Sequence, residues 1–360
     1  MLDLRSIDSK FVKNFLLNYS IIILMIGASI VVGTQRDNFF SLANLGNLIS
    51  NTSIRFIVAL GVSGCLISKG TDLSAGRSVG LAACIAATFL QRADYSARVY
   101  PFLEVPSILP TWLQDFLRTI AYPFLRDPPM IAVLLVVVVI AMLFGLMNGL
   151  VISYLQVPPF ITTLGTQTII YGICLVFTGA QPIGGLRRDY TSLASGVLGN
   201  FSFSRALPYL GFFALTLGII TWFIYNRTPH GKYIYAIGGN ENAAEVSGVN
   251  TKLTKITIYT MAGLLYGIAG FLIGARAGGA SVNIGFGYEL EAIAGCTIGG
   301  VSTNGGVGKV SGILIGVLVF ELLKIAMQYM GVEPSYTYIL QGIVIIIAVS
   351  LDIRKYIAQR

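Results

Sequence analysis

MIAVLLVVVVIAMLFGLMNGLVISY, residues 130–154, carries no charged side chain over its whole length. About 20 apolar residues in a helix cross the hydrocarbon core of a bilayer. A helix also satisfies its own backbone N–H and C=O groups, which lipid cannot do. This stretch therefore reads as a transmembrane helix, and it sets the scale for the rest of the chain. Comparable apolar runs occupy 15–33, 55–68, 78–90, 159–178, 207–225, 257–275, 288–299, 310–329 and 336–351. The expectation is an all-α polytopic membrane protein of about ten spans, forming a single permease domain over 1–360.

Composition agrees. The 360 residues are 55% hydrophobic and only 11% charged, whereas a soluble domain has about a quarter of its residues charged. The 41 glycines fit helices that approach closely through small residues. A net charge of +8 comes without a basic run of the length that binds nucleic acid, so no nucleic-acid partner is expected. Cys65, Cys84, Cys174 and Cys296 lie far apart in apolar runs, and His230 stands alone. Neither arrangement has metal-ligand or disulfide spacing, so no metal, cofactor or disulfide framework is expected. The first apolar run is too long for a signal peptide and lacks an A-x-A cleavage site, so it stays as the first span.

Loop charge gives the orientation. Lys10, Lys13, Lys69, Arg77, Lys232, Lys252, Lys255, Lys309, Arg354 and Lys355 fall on one side, read as cytoplasmic together with both termini. Residues 91–129, with six prolines, form a long external loop, with an interfacial helix expected over 112–125. That loop is long enough to weaken the vote of Arg92, Arg98, Arg118 and Arg126. Arg187, Arg188 and Arg276 are external and run against the pattern.

The polar island RTPHGKYIYAIGGNENAAEVSGVNTKLTK, residues 227–255, interrupts the apolar runs on the cytoplasmic side. Gly238 and Gly239 on one flank and Gly248 on the other are expected to break helices, leaving a short helix over 240–247 with Asn240 as N-cap. Such a helix between two flexible joints is either a docking knob for a soluble partner or an ordinary solvated loop. In the docking reading Glu241 and Glu245 share one face, and Ala243, Ala244 and Val246 supply apolar contacts.

Other polar groups sit inside apolar runs. GTDLSAGR, residues 70–77, places Thr71, Asp72 and Ser74 between two spans. An ionisable group at membrane depth is a functional candidate, but Asp72 or Ser74 can equally cap the following helix and Asp72 can pair with Arg77. Pro159 starts a helix cleanly, and Thr162, Thr163, Thr166 and Gln167 follow it as a polar stripe. Uncharged donors and acceptors of this kind can bind a sugar weakly along a substrate pathway, or they can join helices to one another. Asn148 has the same two readings. Glu321 and Lys324, three apart, share a helix face and neutralise each other, or else belong to a proton relay. The turns at 76–80 and 308–312 are similar enough to raise an internal repeat. GGVSTNGGVGK, residues 299–309, lacks phosphate-loop spacing, and no nucleophile–base pair appears, so the chain is not expected to be an enzyme.

Taken together and in order, GTDLSAGRSVGLAA, VPPFITTLGT, YAIGGNENAAEVSGVN and AIAGCTIGGVSTNGGVG resemble the permease subunits of bacterial sugar ABC importers, the ribose, xylose, arabinose and galactose group. GTDLSAGR and the ending AVSLDIRKY point to its galactose and methyl-galactoside branch. The resemblance implies inward movement of a hexose across the inner membrane, by two copies of this chain surrounded by lipid. It implies a cytoplasmic ATP-binding subunit with two fused nucleotide-binding domains, and an external sugar-binding protein. In that family Gly238, Gly239, Asn240, Glu241, Ala243, Ala244, Glu245, Val246, Ser247 and Gly248 correspond to the ATPase-coupling segment. Permeases for pentoses or branched-chain amino acids remain alternatives. A proton-coupled secondary transporter, using Asp72, Glu291 or Glu321, is the alternative from another class.

Overall fold

The structure, a computed structural model, describes residues 23, 25–99, 110–116, 127–199 and 207–358. The start of the first apolar run, Lys10, Lys13, Arg118, Arg126 and much of the long external loop lie outside these residues. The described residues are mainly helical: α1 (Met25–Gln35), α2 (Leu42–Ile67), α3 (Ala75–Phe89), α4 (Thr111–Phe116), α5 (Met130–Tyr154), α6 (Pro159–Thr178) and α7 (Arg188–Ser195). Then follow α8 (Tyr209–Arg227), α9 (Pro229–Gly239), α10 (Glu241–Val246), α11 (Thr251–Ala277), α12 (Tyr288–Ile298), α13 (Val310–Tyr329) and α14 (Pro334–Ala358). The described residues form no β-strand. Three isolated bridges, Gln91 with Leu186, Ile183 with Ala280 and Val197 with Pro208, tie loops together at one end of the bundle.

Among the described residues six helices are long and apolar enough to cross a membrane: α2, α5, α6, α8, α11 and α13. They divide by burial. Most of α2 and α11 is buried, whereas α5, α6 and α8 expose most of their apolar side chains. In water such exposure would be costly, but hydrocarbon solvates Leu and Ile as well as a protein core does. The buried pair is therefore the centre of the bundle and the exposed helices its lipid-facing rim.

Glycine sets how closely the centre packs. Gly145 and Gly149 on α5 pack against Tyr259 and Ile256 of α11, and Gly263 and Gly267 on α11 against Ala141 and Val138 of α5, each glycine pair four apart. A Cβ at Gly145 would lie 2.2 Å from the carbonyl oxygen of Tyr259, and one at Gly263 would lie 2.4 Å from that of Ala141. Both contacts are backbone, which cannot move aside as a side chain can. The same device recurs where Gly295 and Gly299 of α12 meet Gly312 and Gly316 of α13. This small-x-x-x-small packing supplies the van der Waals contact that joins helices in lipid.

Two expected spans are shorter than a crossing. α3 has 15 residues and α12 only 11, about 22 and 16 Å at 1.5 Å per residue. Before α12 the chain runs irregularly along the first turns of α3. Arg77 donates from Nη1 to the Val282 carbonyl at 2.9 Å, and Cβ atoms at Gly76 and Gly80 would strike the carbonyls of Gly285 and Ile284. Irregular backbone at membrane depth is stable only when protein covers it, and α3 provides that cover. A hydropathy window cannot separate an apolar helix from an apolar, glycine-rich irregular segment. Arg77 was counted with the loop charges, but it lies in α3, stacked 4.2 Å from the Tyr171 ring centroid. Arg187, which ran against the charge pattern, is neutralised by Asp127 and Asp189; hydrogen bonding from Arg187 holds the Asp189 carboxyl below its ordinary range.

Candidate functional site

Between α8 and α11 the chain folds as two helices, α9 and α10, and these and α11 are each begun by a side-chain cap. Thr228 Oγ1 accepts from the Gly231 amide at 3.2 Å, Asn240 Oδ1 from Ala243 at 3.1 Å and Asn250 Oδ1 from Leu253 at 2.9 Å. α10 closes with Gly248 at φ +88°, where the Gly248 amide bonds Glu245 and the Val249 amide bonds Ala244. This is the left-handed glycine stop that ends many helices.

Gly238 and Gly239 are a correction to the sequence reading. They form the last turn of α9, and the break they were expected to make falls just after them, at the extended Asn240. A Cβ at Gly238 would lie 1.8 Å from the Ile67 carbonyl and 2.4 Å from the Gly306 amide, so glycine is needed for contact, not for hinge motion. The docking face also differs. Ala244 is buried inside this chain and is not offered outward, while Glu241 is partly exposed and ion-paired with Lys255 at 2.6 Å. Ala243, Glu245 and Ser247 are exposed, and Val246 projects with 90% of its surface accessible. An isolated apolar side chain that exposed on a capped helix is a feature the sequence alone could not rank.

Behind this face α9 bridges two turns. Lys69 donates to the Gly239 carbonyl at 3.3 Å, the Gly306 amide donates to Ile67 at 2.8 Å, and Tyr235 donates to Gly308 at 2.9 Å. α9 thus touches both the end of α2 and the turn leading into α13. His230, also on α9, has an unpartnered Nε2, and burial holds its imidazole below the ordinary value. A cavity of about 490 Å³ opens beside α10, lined by Lys69, Glu241, Glu245, Lys252 and Lys255 together with Pro158 and Pro159.

The candidate pathway residues form a buried hydrogen-bond network. Asp72 Oδ1 accepts from the Ser74 amide at 2.9 Å and its hydroxyl at 2.6 Å, and Asp72 Oδ2 accepts from Tyr266 of α11 at 3.2 Å. Asn148 of α5 donates to Ser74 Oγ at 3.0 Å, and Thr166 of α6 donates to Asn148 Oδ1 at 2.6 Å. Thr163 accepts from the Leu73 amide at 3.1 Å and lies close to the Thr71 carbonyl. The Thr162 hydroxyl donates to the carbonyl of Pro158, within its own helix turn, while Gln167 is half-buried and apart from the network. The Asp72–Arg77 pair does not form. Ser74 is the N-cap residue of α3 but makes no side-chain cap bond, because Asp72 turns back on it.

A second polar cluster was only half legible. Glu321 and Lys324 of α13 lie 3.6 Å apart, but each also meets residues from distant sequence. Arg55 Nε of α2 is 2.6 Å from Glu291 of α12 and 3.1 Å from Glu321. Lys324 is 2.9 Å from Glu291, and Gln341 of α14 donates to Glu291 at 2.7 Å. Two cations and two anions thus balance inside the bundle and join four helices. Arg55, at the edge of an expected span, gave no local signal of this role.

An all-helical bundle with apolar rim helices, half-length central helices and a capped helix projecting at one end defines a membrane permease. The family model described as branched-chain amino acid transport system / permease component matches residues 44–349, and the chain belongs to that family. It is 41% identical to the galactose/methyl galactoside import permease protein MglC of Escherichia coli (strain K12) over 98% of this chain and 99% of that protein. It is 43% identical to the protein of the same name from Salmonella typhimurium over 93% of each. The ribose import permease protein RbsC of Haemophilus influenzae is 30% identical over 95% of this chain and 94% of that protein. No solved structure matches the chain. It is a multi-pass inner-membrane permease component of an importer.

Proposed function

We propose that this chain moves galactose or a methyl galactoside inward as the membrane subunit of an ATP-driven importer. The observation that carries this reading is the 41% identity to a galactose/methyl galactoside import permease across essentially the whole of both chains. In this reading two copies form the transmembrane unit, an ATP-binding subunit with two fused nucleotide-binding domains docks from the cytoplasm, and an external binding protein delivers the sugar. The ten spans are α1, α2, α3, α5, α6, α8, α11, α12, α13 and α14, with both termini and α9–α10 cytoplasmic.

The coupling element is α10, with Asn240 and Gly248 fixing its ends and Val246 and Glu245 meeting the ATPase. Force on α10 passes to α9, and from there to the α2 end at Ile67 and to the turn before α13. A rigid chain of contacts is required because a loose loop would absorb the motion. The network of Asp72, Ser74, Asn148 and Thr166 serves the pathway by holding α3, α5, α6 and α11 together as its wall.

In proteoliposomes carrying the permease, its ATP-binding subunit and the binding protein, galactose uptake is expected to survive a protonophore and stop without ATP. Uptake that collapses with the proton gradient would return the secondary-transporter reading. Val246→Arg is expected to abolish uptake and sugar-stimulated ATP hydrolysis while leaving the permease inserted. Normal transport by that variant would remove α10 from the coupling path.

A further inference from the structure

The half of α2 that begins at Leu42 carries a file of polar side chains, two of which have no hydrogen-bond partner among the described residues. Asn47, Asn51 and Arg55 recur at i, i+4 and i+8, on one face of the helix and over about 12 Å of its length. Asn47 is exposed, Asn51 and Arg55 are half-buried, and neither asparagine side chain has a hydrogen-bond partner among the described residues. Arg276, in the last turn of α11, likewise has no ion-pair partner among them. Its side chain lines a cavity of about 380 Å³ together with Asn47 and Ser50, a volume within the range of small-molecule sites. At the lower end of the file Arg55 enters the cluster with Glu291, Glu321 and Lys324. Glu321 Oε2 is buried there, ion-paired but accepting no hydrogen bond.

Two amides and a guanidinium on spanning helices, without partners among the described residues, are costly against lipid and are stabilised by water or a polar solute. Their chemistry selects the solute. The floor holds two cations and two anions, so it offers no net attraction for an ion. Amides, guanidinium and carboxylates do present paired donors and acceptors, which suit adjacent hydroxyls on a neutral ring. Ion pairs can exchange for hydroxyl bonds without leaving a charge uncompensated, which a sealed apolar floor cannot do.

We propose that the file from Arg276 and Asn47 through Asn51 to Arg55 is the loading site for a neutral polyol, with the ion-pair cluster as its floor. This rests on the reading of the chain as a sugar permease, and it places sugar contact on α2 and α11, away from the Thr163–Thr166 stripe. The complete transporter in proteoliposomes tests it. The four native cysteines are buried, so Asn51→Cys gives a readable site for an impermeant thiol reagent. Labelling is expected from the external side, slowed at least tenfold when galactose-loaded binding protein and a trapped ATPase are present. Arg276→Met is expected to reduce uptake at least tenfold with binding-protein docking unchanged, and Arg276→Lys to restore part of it. Sugar-independent labelling of Asn51→Cys, or no labelling in any state, would overturn the site. Loss of docking in Arg276→Met would make Arg276 a binding-protein contact and overturn it too. In either case galactose uptake by the parent transporter would leave the permease reading standing, whereas a parent that ignores galactose would fail that reading first.

Discussion

Along α5 and α11 the two backbones meet through Gly145, Gly149, Gly263 and Gly267, with no charge involved. Between α2 and the α12–α14 group, Arg55, Glu291, Glu321 and Lys324 make the principal polar join. Both seams solve the same problem, because lipid tails solvate apolar side chains and leave little hydrophobic force to bring helices together. They differ in what happens under load. Backbone in contact with backbone has no alternative arrangement, so the glycine seam is fixed. Ion pairs can change partners, so the charged seam can open and re-form. The contacts of α9 reach Ile67 at the end of α2 and the turn into α13, which are the two helices bearing Arg55, Glu321 and Lys324. In the proposed coupling path, motion from the projecting helix would arrive at this exchangeable seam.

The contrast breaks most sharply at Glu291, which touches three partners. Glu291→Gln leaves two cations facing one anion in a buried site and is expected to destabilise the folded permease by about 3–5 kcal/mol, read as loss of monodisperse protein in detergent. Joint replacement of Arg55 and Glu291 by Leu and Met removes one charge of each sign and is expected to recover most of that stability while transport stays impaired. If the single and double variants are equally unstable, charge balance is not what holds this seam.

Gly263→Ala tests the other seam. Its Cβ would meet the Ala141 carbonyl at 2.4 Å, and overpacking of this kind costs about 1–3 kcal/mol. A lowered thermal midpoint is expected, with no change in the ionic-strength dependence of stability. Thr166→Val removes one bond to Asn148 between helices and is expected to cost about 0.6 kcal/mol, the average for such bonds in membranes. A loss as large as that of Glu291→Gln would mean that the Asp72 network, not the ion cluster, is the main polar join.

The smallest effect concerns pH. Burial lowers the His230 pKa from the ordinary value of about 6.5. The unfolded chain therefore takes up a proton before the folded one does. Stability is unaffected well above that value and falls as pH drops through it towards the lower folded pKa. Protection of α9 amides, corrected for the intrinsic pH dependence of exchange, is expected to fall below neutrality in the parent and to be flat in His230→Gln. Equal acid sensitivity in both proteins would remove His230 as the cause.

The sequence by itself determined the solvent, the helical class and the ends of several helices. These are local properties: the uncharged run at 130–154, Pro159 opening α6, and Asn240 with Gly248 bounding α10. It also paired Glu321 with Lys324, because i and i+3 on a helix must be neighbours. What it could not give were facts that join distant segments. Arg55 lies 236 positions from Glu291, and no periodicity connects them. The ends of α12 were legible, since the apolar run at 288–299 nearly matches the helix at 288–298, but the packing of the stretch before it along α3 was not, because it joins Arg77 to Val282, 205 positions away. The exposed side of α10 was likewise undetermined: Ala244 and Val246 both suit a helix, and only packing against the rest of the chain buried one and left the other out.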